Sequence, residues 1–259
     1  MSRPLRVTVC ELRDDRALFE RDWTRLAAHA RDHRSDLILL PEMPFSTWLA
    51  SSPAFVPASW QTAVRAHEEW LPKLAALAPA TVIASRPVTR DGRRLNEGFA
   101  WNAEGGYRAL HDKCFLPNED GYWEAKWYQA GDRVFDVVRV SDAAIGMLIC
   151  TELWALDRAR AYGKAGADII ATPRATGRPT VNKWIVGGRA AAIVSGAFSL
   201  SSNWTADASG GDFGGGGWVI DPDGQVLAQT SLDVPFQTLA IDLAHAEIAK
   251  RTYPRYALE

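Results

Sequence analysis

The strongest constraint on the fold is a set of short apolar runs without polar alternation, each stopped by a proline or a reactive residue. Asp36-Leu37-Ile38-Leu39-Leu40 ends at Pro41, Ala144-Ile145-Gly146-Met147-Leu148-Ile149 at Cys150, and Asp168-Ile169-Ile170-Ala171-Thr172 at Pro173. A strand with one wet face alternates polar and apolar residues, so runs of this kind suit strands covered on both faces. A helix lies ahead of the first of them: Ala17 to Arg34 sets Leu18, Trp23, Leu26, Ala27 and Ala30 on one side, and it follows a first strand, Leu5 to Cys10. Strand, helix and strand in this order form a β-α-β unit. The chain therefore reads as α/β with a largely buried sheet.

The remaining segments fill out that class. Ser59 to Leu77 reads as a helix interrupted at Pro72, and Thr81 to Ser85 as a strand. Asn96 to Trp101 and Tyr107 to His111 flank Glu104-Gly105-Gly106, a hairpin signature. Phe135 to Val140 is a strand that turns through Ser141-Asp142 into the run ending at Cys150. Leu156 to Ala165 is a helix closed at Gly166, and Asn182 to Ser195 is helical despite Gly187-Gly188. Phe198 to Ser202, Trp218 to Ile220, Val226 to Gln229 and Thr238 to Asp242 complete the strands. The glycine-rich stretch Ser209 to Gly217 lacks a Gly-Lys-Ser/Thr ending and leads into a strand, which excludes a phosphate loop. With 259 residues and no long linker, one domain over 1–259 is expected.

Composition narrows the function classes. The formal charge is −2, and no basic or acidic block calls for nucleic acid or a membrane surface. Met1 to Arg13 lacks the apolar core of a signal peptide, and no run approaches the roughly 18 residues of a spanning helix, so a cytoplasmic protein is expected. Cys10, Cys114 and Cys150 are odd in number and unpaired in spacing, which fits reduced thiols. Eleven tryptophans suggest an aromatic pocket or a subunit interface, although core packing could also use them. His29 and His33 stand four apart on a helix but have no third ligand within reach, so no metal and no cofactor is expected. No Gly-x-Ser-x-Gly occurs, which argues against a serine triad.

Open α/β sheets place their sites at the carboxyl ends of strands. Glu42 follows Leu37 to Pro41, Lys113 follows the second hairpin arm, and Cys150 ends the 144–149 run where a helix-like segment begins. Unpaired N–H groups at a helix start lower a thiol pKa from about 8.5 towards neutrality. If neighbouring strands bring the three together, Cys150 is the nucleophile, Glu42 its general base and Lys113 the cation that binds the developing oxyanion. The backbone N–H of Thr151 is the natural second donor. Taken singly, each has a plainer explanation: a buried thiol closing a strand, and surface ion pairs at strand ends.

Five segments in order carry a family resemblance: LILLPE (Leu37 to Glu42), HDK (His111 to Lys113), GMLICTELW (Gly146 to Trp154), GADIIATP (Gly166 to Pro173) and GGGGWVIDPDGQVLA (Gly214 to Ala228). Together they resemble the nitrilase, or carbon–nitrogen hydrolase, superfamily across nearly the whole chain. The resemblance implies an α-β-β-α sandwich of two mixed β-sheets flanked by helices, dimerising or assembling further. It also implies hydrolysis of a non-peptide C–N bond through an acyl-enzyme on Cys150, with a Glu42–Lys113–Cys150 triad. A second glutamate is typical of the family, and Glu119 and Glu124 compete for that place. Lys113 to Asp132 looks most like the N-carbamoylputrescine amidase branch, and by that match the residue is Glu124. Glu119 is then left at the pocket mouth or in solvent.

The substrate is less legible. Trp48, Trp123, Trp127 and Trp154 are the expected pocket walls, although each could pack between helices and sheet. Arg174 stands where the related branch usually has a small polar or apolar residue, and it could clamp a carboxylate or pair with Glu152 or Glu119. Such an arginine disfavours a cationic carbamoyl-polyamine. The leading expectation is an amidase acting on a primary amide or N-carbamoyl group with release of ammonia. A nitrilase with the same triad and a non-catalytic dimeric ligand-binding module are the rivals.

Overall fold

The computed structural model describes residues 4–206 and 212–258; residues 209–211 of the glycine-rich stretch, and 1–3 and 259 of the terminal segments discussed above, lie outside the described residues. In chain order the elements are β1 (Leu5–Arg13), α1 (Arg16–Asp32), β2 (Leu37–Leu39), α2 (Pro57–Trp70), β3 (Thr81–Arg90), β4 (Arg93–Asn102), β5 (Gly106–Asp112) and α3 (Glu124–Trp127). There follow β6 (Val138–Val140), β7 (Ala143–Met147), α4 (Leu156–Lys164), β8 (Ile169–Arg174), α5 (Val181–Ser195), β9 (Phe198–Thr205), β10 (Trp218–Ile220), β11 (Val226–Gln229), β12 (Phe236–Ile241) and α6 (Leu243–Ala249).

Two mixed sheets meet at β1. The strand path is β5-β4-β3-β2-β1-β9-β8-β7-β6, with β12 beside β1 and β10 and β11 continuing from β9. The first part of β1 runs parallel to β2, Val7 opposite Leu37, and antiparallel to β12, Leu5 opposite Ile241. Its last residues, Glu11 to Arg13, pair instead with Asn203 to Thr205 of β9. That second partnership lengthens β1 past Cys10, where the local pattern alone ends it.

The faces divide as a sandwich requires. Val7, Val9, Leu37, Leu39 and Ile83 share a core with Met147, Ile169 and Ala171 of the other sheet. Ile38, Leu40, Val82 and Ala84 turn the opposite way, against Phe19, Trp23 and Leu26 of α1 and Trp70 of α2. Ala159 and Tyr162 of α4 and Ala191 and Ala192 of α5 cover the second sheet. The order is α-β-β-α. Each large aliphatic side chain so buried contributes about 1.5–3 kcal/mol, which is why strands apolar on both faces can occur only here.

Proline and glycine punctuate as their chemistry demands. The α-helix before Pro72 stops at Trp70 and Leu71–Leu77 continues as a 3-10 helix, because Pro72 has no N–H to donate and crowds the preceding turn. Gly188 allows α5 to approach the sheet, since a Cβ there would lie 2.6 Å from the Trp218 ring. One strong signal goes unread in the sequence pattern above. Asp91-Gly92, both at positive φ, is a second hairpin turn and extends β3 and β4 to a ten-residue pair. The helix α6 is likewise absent from that reading. Val138 rather than Phe135 starts β6, and Tyr253 and Tyr256 of the tail are exposed.

Candidate active site

Strand direction brings the candidate residues to one edge. β4 is antiparallel to β3 and β5 antiparallel to β4, so β5 runs with β2 and β3 and its end emerges beside theirs. Lys113 N–H donates to Asn96 O at 2.9 Å there. Across the sandwich, Glu42 N–H reaches Arg174 O at the end of β8, at 3.2 Å, and Trp204 Nε1 donates to Glu42 O at 2.7 Å. Beyond Glu42 the chain bends sharply, with Met43 at φ +46 and its N–H on Ser85 Oγ. Two residues on, Phe45 N–H donates to His67 Nε2 while His67 Nδ1 donates to Ala63 O. One ring nitrogen therefore accepts and the other donates, which requires a neutral imidazole. Burial pushes its pKa down to about 3, in keeping with that state.

Glu42, Lys113 and Glu124 are all fully buried. Lys113 Nζ lies 2.8 Å from Glu42 Oε1 and 2.6 Å from Glu124 Oε2. Asn96 Nδ2 donates to Glu42 Oε1 at 2.7 Å, and Tyr128 OH donates to Glu124 Oε2. Burial alone would lower the lysine pKa, but the flanking carboxylates outweigh it and hold the ammonium charged. Burial raises Glu124, with Lys113 opposing and Glu42 adding to the rise. One oxygen of the set is left over: Glu42 Oε2 is buried and without a hydrogen-bond partner. A carboxylate oxygen in that state is a free hydrogen-bond acceptor.

Cys150 is 3 % exposed and sits at φ +50, the first residue of a 3-10 turn, Cys150–Trp154. A non-glycine residue held in the left-handed region costs on the order of 1 kcal/mol or more and persists only where its surroundings impose it. Gly146 is part of that frame, because Tyr162 packs so closely that a Cβ would lie 2.5 Å from its ring, while Tyr162 OH donates to Met147 O. Burial, then the charge of Glu42, push the Cys150 thiol above its ordinary pKa; Lys113 and the Ala175 N–H pull it back only in part. The expected lowering by a helix start is overturned. The turn is a short 3-10 segment, and desolvation dominates a fully buried thiol. Thr151 is half-buried, and its N–H precedes the first ladder bond of the turn, Glu152 N–H to Ile149 O.

Glu152 braces the nucleophile turn against the lysine strand. Its Oε1 accepts Cys114 N–H at 2.7 Å, and its Oε2 accepts Ile149 N–H at 2.9 Å and meets His111 Nε2 at 2.8 Å. His111 Nδ1 meets Val134 O, which can only accept, so His111 donates from both nitrogens as an imidazolium. Burial pushes His111 down, but Glu152 outweighs it and the net pKa lies above the ordinary value. His111, Cys114 and Glu152 also form a cluster of metal-type ligands within 4.8 Å of one another. The ring nitrogens and both carboxylate oxygens are already engaged, so the cluster is a brace. A raised histidine pKa contributes stability that is complete below about pH 6.5 and is lost as pH rises through the folded value. Glu152→Gln is therefore expected to destabilise by about 3–5 kcal/mol at pH 6, with the deficit narrowing by pH 9 in urea titrations.

A cavity of about 240 Å³ opens over Cys150, walled by Thr151, Trp154, Tyr122, Thr176 and Trp184, with Glu119 and Lys183 among its lining. Of the expected walls, Trp154 lines it. Trp127 does not: it is buried with Nε1 on Ser52 O, in a satellite core with Met43, Leu49 and Trp60. Trp48, with Nε1 on Gly121 O, and Trp123 pack beside that core and also stand outside the lining. These three fasten the loop after Glu42 to the loop before Glu124. Arg174 is corrected as well. It is fully buried, with Nε on Ser201 Oγ, Nη1 on Thr176 Oγ1 and Nη2 on Gly216 O, and its guanidinium lies 4.3 Å from the Trp218 ring centroid. It pairs with neither Glu152 nor Glu119. Burial pushes it down to about 9, so it stays a cation at neutral pH behind Cys150. His29 and His33 stack on each other at 3.9 Å and hydrogen-bond to Thr238 Oγ1 and His29 O.

Asn96, Tyr128, Trp204 and His67 hold the site and went unnoticed in the sequence, as did Trp184 and Lys183. Only the hairpin register could have flagged Asn96, which lies in β4 next to the end of β5.

Known proteins supply an independent comparison. A family model described as carbon-nitrogen hydrolase matches residues 12–251. The chain is 28% identical over 204 residues to a glutamine-dependent NAD(+) synthetase of Rhodobacter capsulatus, spanning 75% of this chain and 35% of that protein. It is 34% identical over 76 residues to the N-carbamoylputrescine amidase of Solanum lycopersicum, spanning 29% of this chain and 25% of the relative. The chain thus matches about a third of the first relative's own length and a quarter of the second's. In structure it resembles a carbon-nitrogen hydrolase from Helicobacter pylori G27, with a TM-score of 0.86 at 23% identity over 98% of this chain and 95% of the other. That likeness concerns the fold.

Proposed function

The chain belongs to the carbon–nitrogen hydrolase family, and from that premise we propose that it hydrolyses a primary amide or N-carbamoyl group through an acyl-enzyme on Cys150. The observation that carries this is the buried set of Glu42, Lys113 and Glu124 with one unpartnered oxygen, Glu42 Oε2, bearing on a thiol at the floor of an open pocket. Relatives named for glutamine dependence and for N-carbamoylputrescine support a terminal C(=O)–NH2 as the reacting group.

The chemistry follows from the charges. Glu42 Oε2 takes the thiol proton as sulfur attacks the carbonyl carbon, so the thiolate forms only as it is used. The oxyanion develops between Lys113 Nζ and the Thr151 N–H, both fixed in advance. Collapse of the tetrahedral intermediate breaks the C–N bond, and the proton held by Glu42 leaves with ammonia. Water, deprotonated by Glu42, then cleaves the thioester and restores the thiol. Glu124 keeps Lys113 oriented and charged, and Arg174 adds a second positive charge behind the sulfur. An ammonia-release panel of aliphatic and aromatic amides, N-carbamoyl compounds and nitriles tests this reading. Release from amides or carbamoyl compounds is expected; release from nitriles alone, or from nothing in the panel, overturns it.

A further inference from the structure

We propose that the pocket takes a zwitterionic substrate, an α-amino acid whose side chain ends in a primary amide or ureido group, with its ammonium held at Glu119 and its carboxylate at Lys183. The proposal rests on the Cys150 amidase reading and specifies the far end of the same site.

Among the described residues two charged side chains line the cavity, and they have opposite sign. Glu119 comes from the loop after β5, where its N–H and carbonyl exchange hydrogen bonds with Tyr122 in a tight turn at the rim. Lys183 comes from the first turn of α5, with Nζ 5.8 Å from the centroid of the Trp154 ring. Both are exposed, whereas Cys150 is buried at the floor. Among the described residues neither forms an ion pair within 4 Å, so the two charges do not pair with each other.

That charge pattern selects by subtraction. An amine tail gains at Glu119 and is opposed by Lys183; a carboxylate tail gains at Lys183 and is opposed by Glu119. A head carrying both charges satisfies both side chains. The walls between rim and floor are Trp154, Trp184 and Tyr122, suited to the short methylene chain joining such a head to its amide. A volume of about 240 Å³ lies below the roughly 300–1,000 Å³ of drug-sized sites and suits one small, amino-acid-sized molecule.

The test uses a matched ureido series on the full chain: L-citrulline, N-carbamoylputrescine lacking the carboxylate, 5-ureidopentanoate lacking the ammonium, and uncharged N-butylurea, with L-glutamine as the amide counterpart. kcat/KM is expected to be highest for a zwitterion, falling about fivefold for each charge removed, mainly through KM, and the advantage should shrink in high salt. Lys183→Glu should move the preference towards N-carbamoylputrescine, and Glu119→Lys towards 5-ureidopentanoate. If N-butylurea is turned over as well as the zwitterions and neither variant shifts the ratios, this inference is overturned while the amidase reading stands. If no substrate releases ammonia and no acyl adduct forms on Cys150, both fall.

Discussion

Cys150→Ala is expected to yield a folded protein whose ammonia release falls on the order of 10⁴-fold or more, because the proposed acyl intermediate forms on the thiol that the variant lacks. The fold should survive for local reasons. Alanine inherits the same left-handed backbone at φ +50, so the substitution neither adds nor relieves that strain. Loss of one buried sulfur should lower stability by about 1 kcal/mol, read as a small shift of the urea midpoint. The parent, quenched during turnover and weighed intact, should carry acyl mass at Cys150; the variant should carry none. Turnover above one part in a hundred in a folded Cys150→Ala protein would mean that another group is the nucleophile.

Lys113→Met should be the more disruptive change, since it damages stability as well as turnover. The methionine fits the space but leaves Glu42 and Glu124 buried side by side with no cation between them. Breaking a buried ion pair on one side costs about 3–5 kcal/mol, and loss of a fixed oxyanion partner costs roughly 10²–10³ in rate. The pH dependence gives a second readout. Lys113 is the chief influence holding Glu124 down against burial, so without it the folded carboxyl pKa rises further above its unfolded value of 4.5. An acid raised in this way contributes stability below the unfolded pKa and loses it as pH climbs through the folded value. The stability deficit of Lys113→Met should therefore be largest at pH 8 and shrink by pH 5, and adding Glu124→Gln should recover part of it without restoring activity. Equal urea midpoints for parent and Lys113→Met at pH 8 would contradict the buried-charge account.

Much of the sandwich was legible because its signals are local. The runs Leu37 to Leu40 and Ala144 to Ile149 need only their own residues to announce a strand covered on both faces, and Pro41 and Cys150 mark where each one stops. Strand order at the site's edge follows from the hairpins and the β-α-β unit, so Glu42, Lys113 and Cys150 could be named before their distances were known. The thiol's charge state could not. A helix start favours thiolate, but the deciding quantity is desolvation, and burial is a property of everything packed around Cys150.

The aromatic and cationic residues divide along the same line. Trp154, Trp123 and Trp127 look equivalent in sequence, yet one lines the cavity and the others tie two loops together. Arg174 follows Pro173 in the sequence like a substrate clamp, but its fork is occupied by Thr176 two residues on, by Ser201 of β9 and by Gly216 of the glycine-rich stretch. Asn96 and Trp204 hold Glu42 from 54 and 162 residues away. By itself the sequence determined the class of fold and the family, because backbone period, turn chemistry and residue type are written along the chain. Only the tertiary structure decided which carboxylate oxygen is free, which tryptophans line the cavity and which charges lie along it, because hydrogen-bond partners and solvent exclusion arise between segments that no local pattern connects.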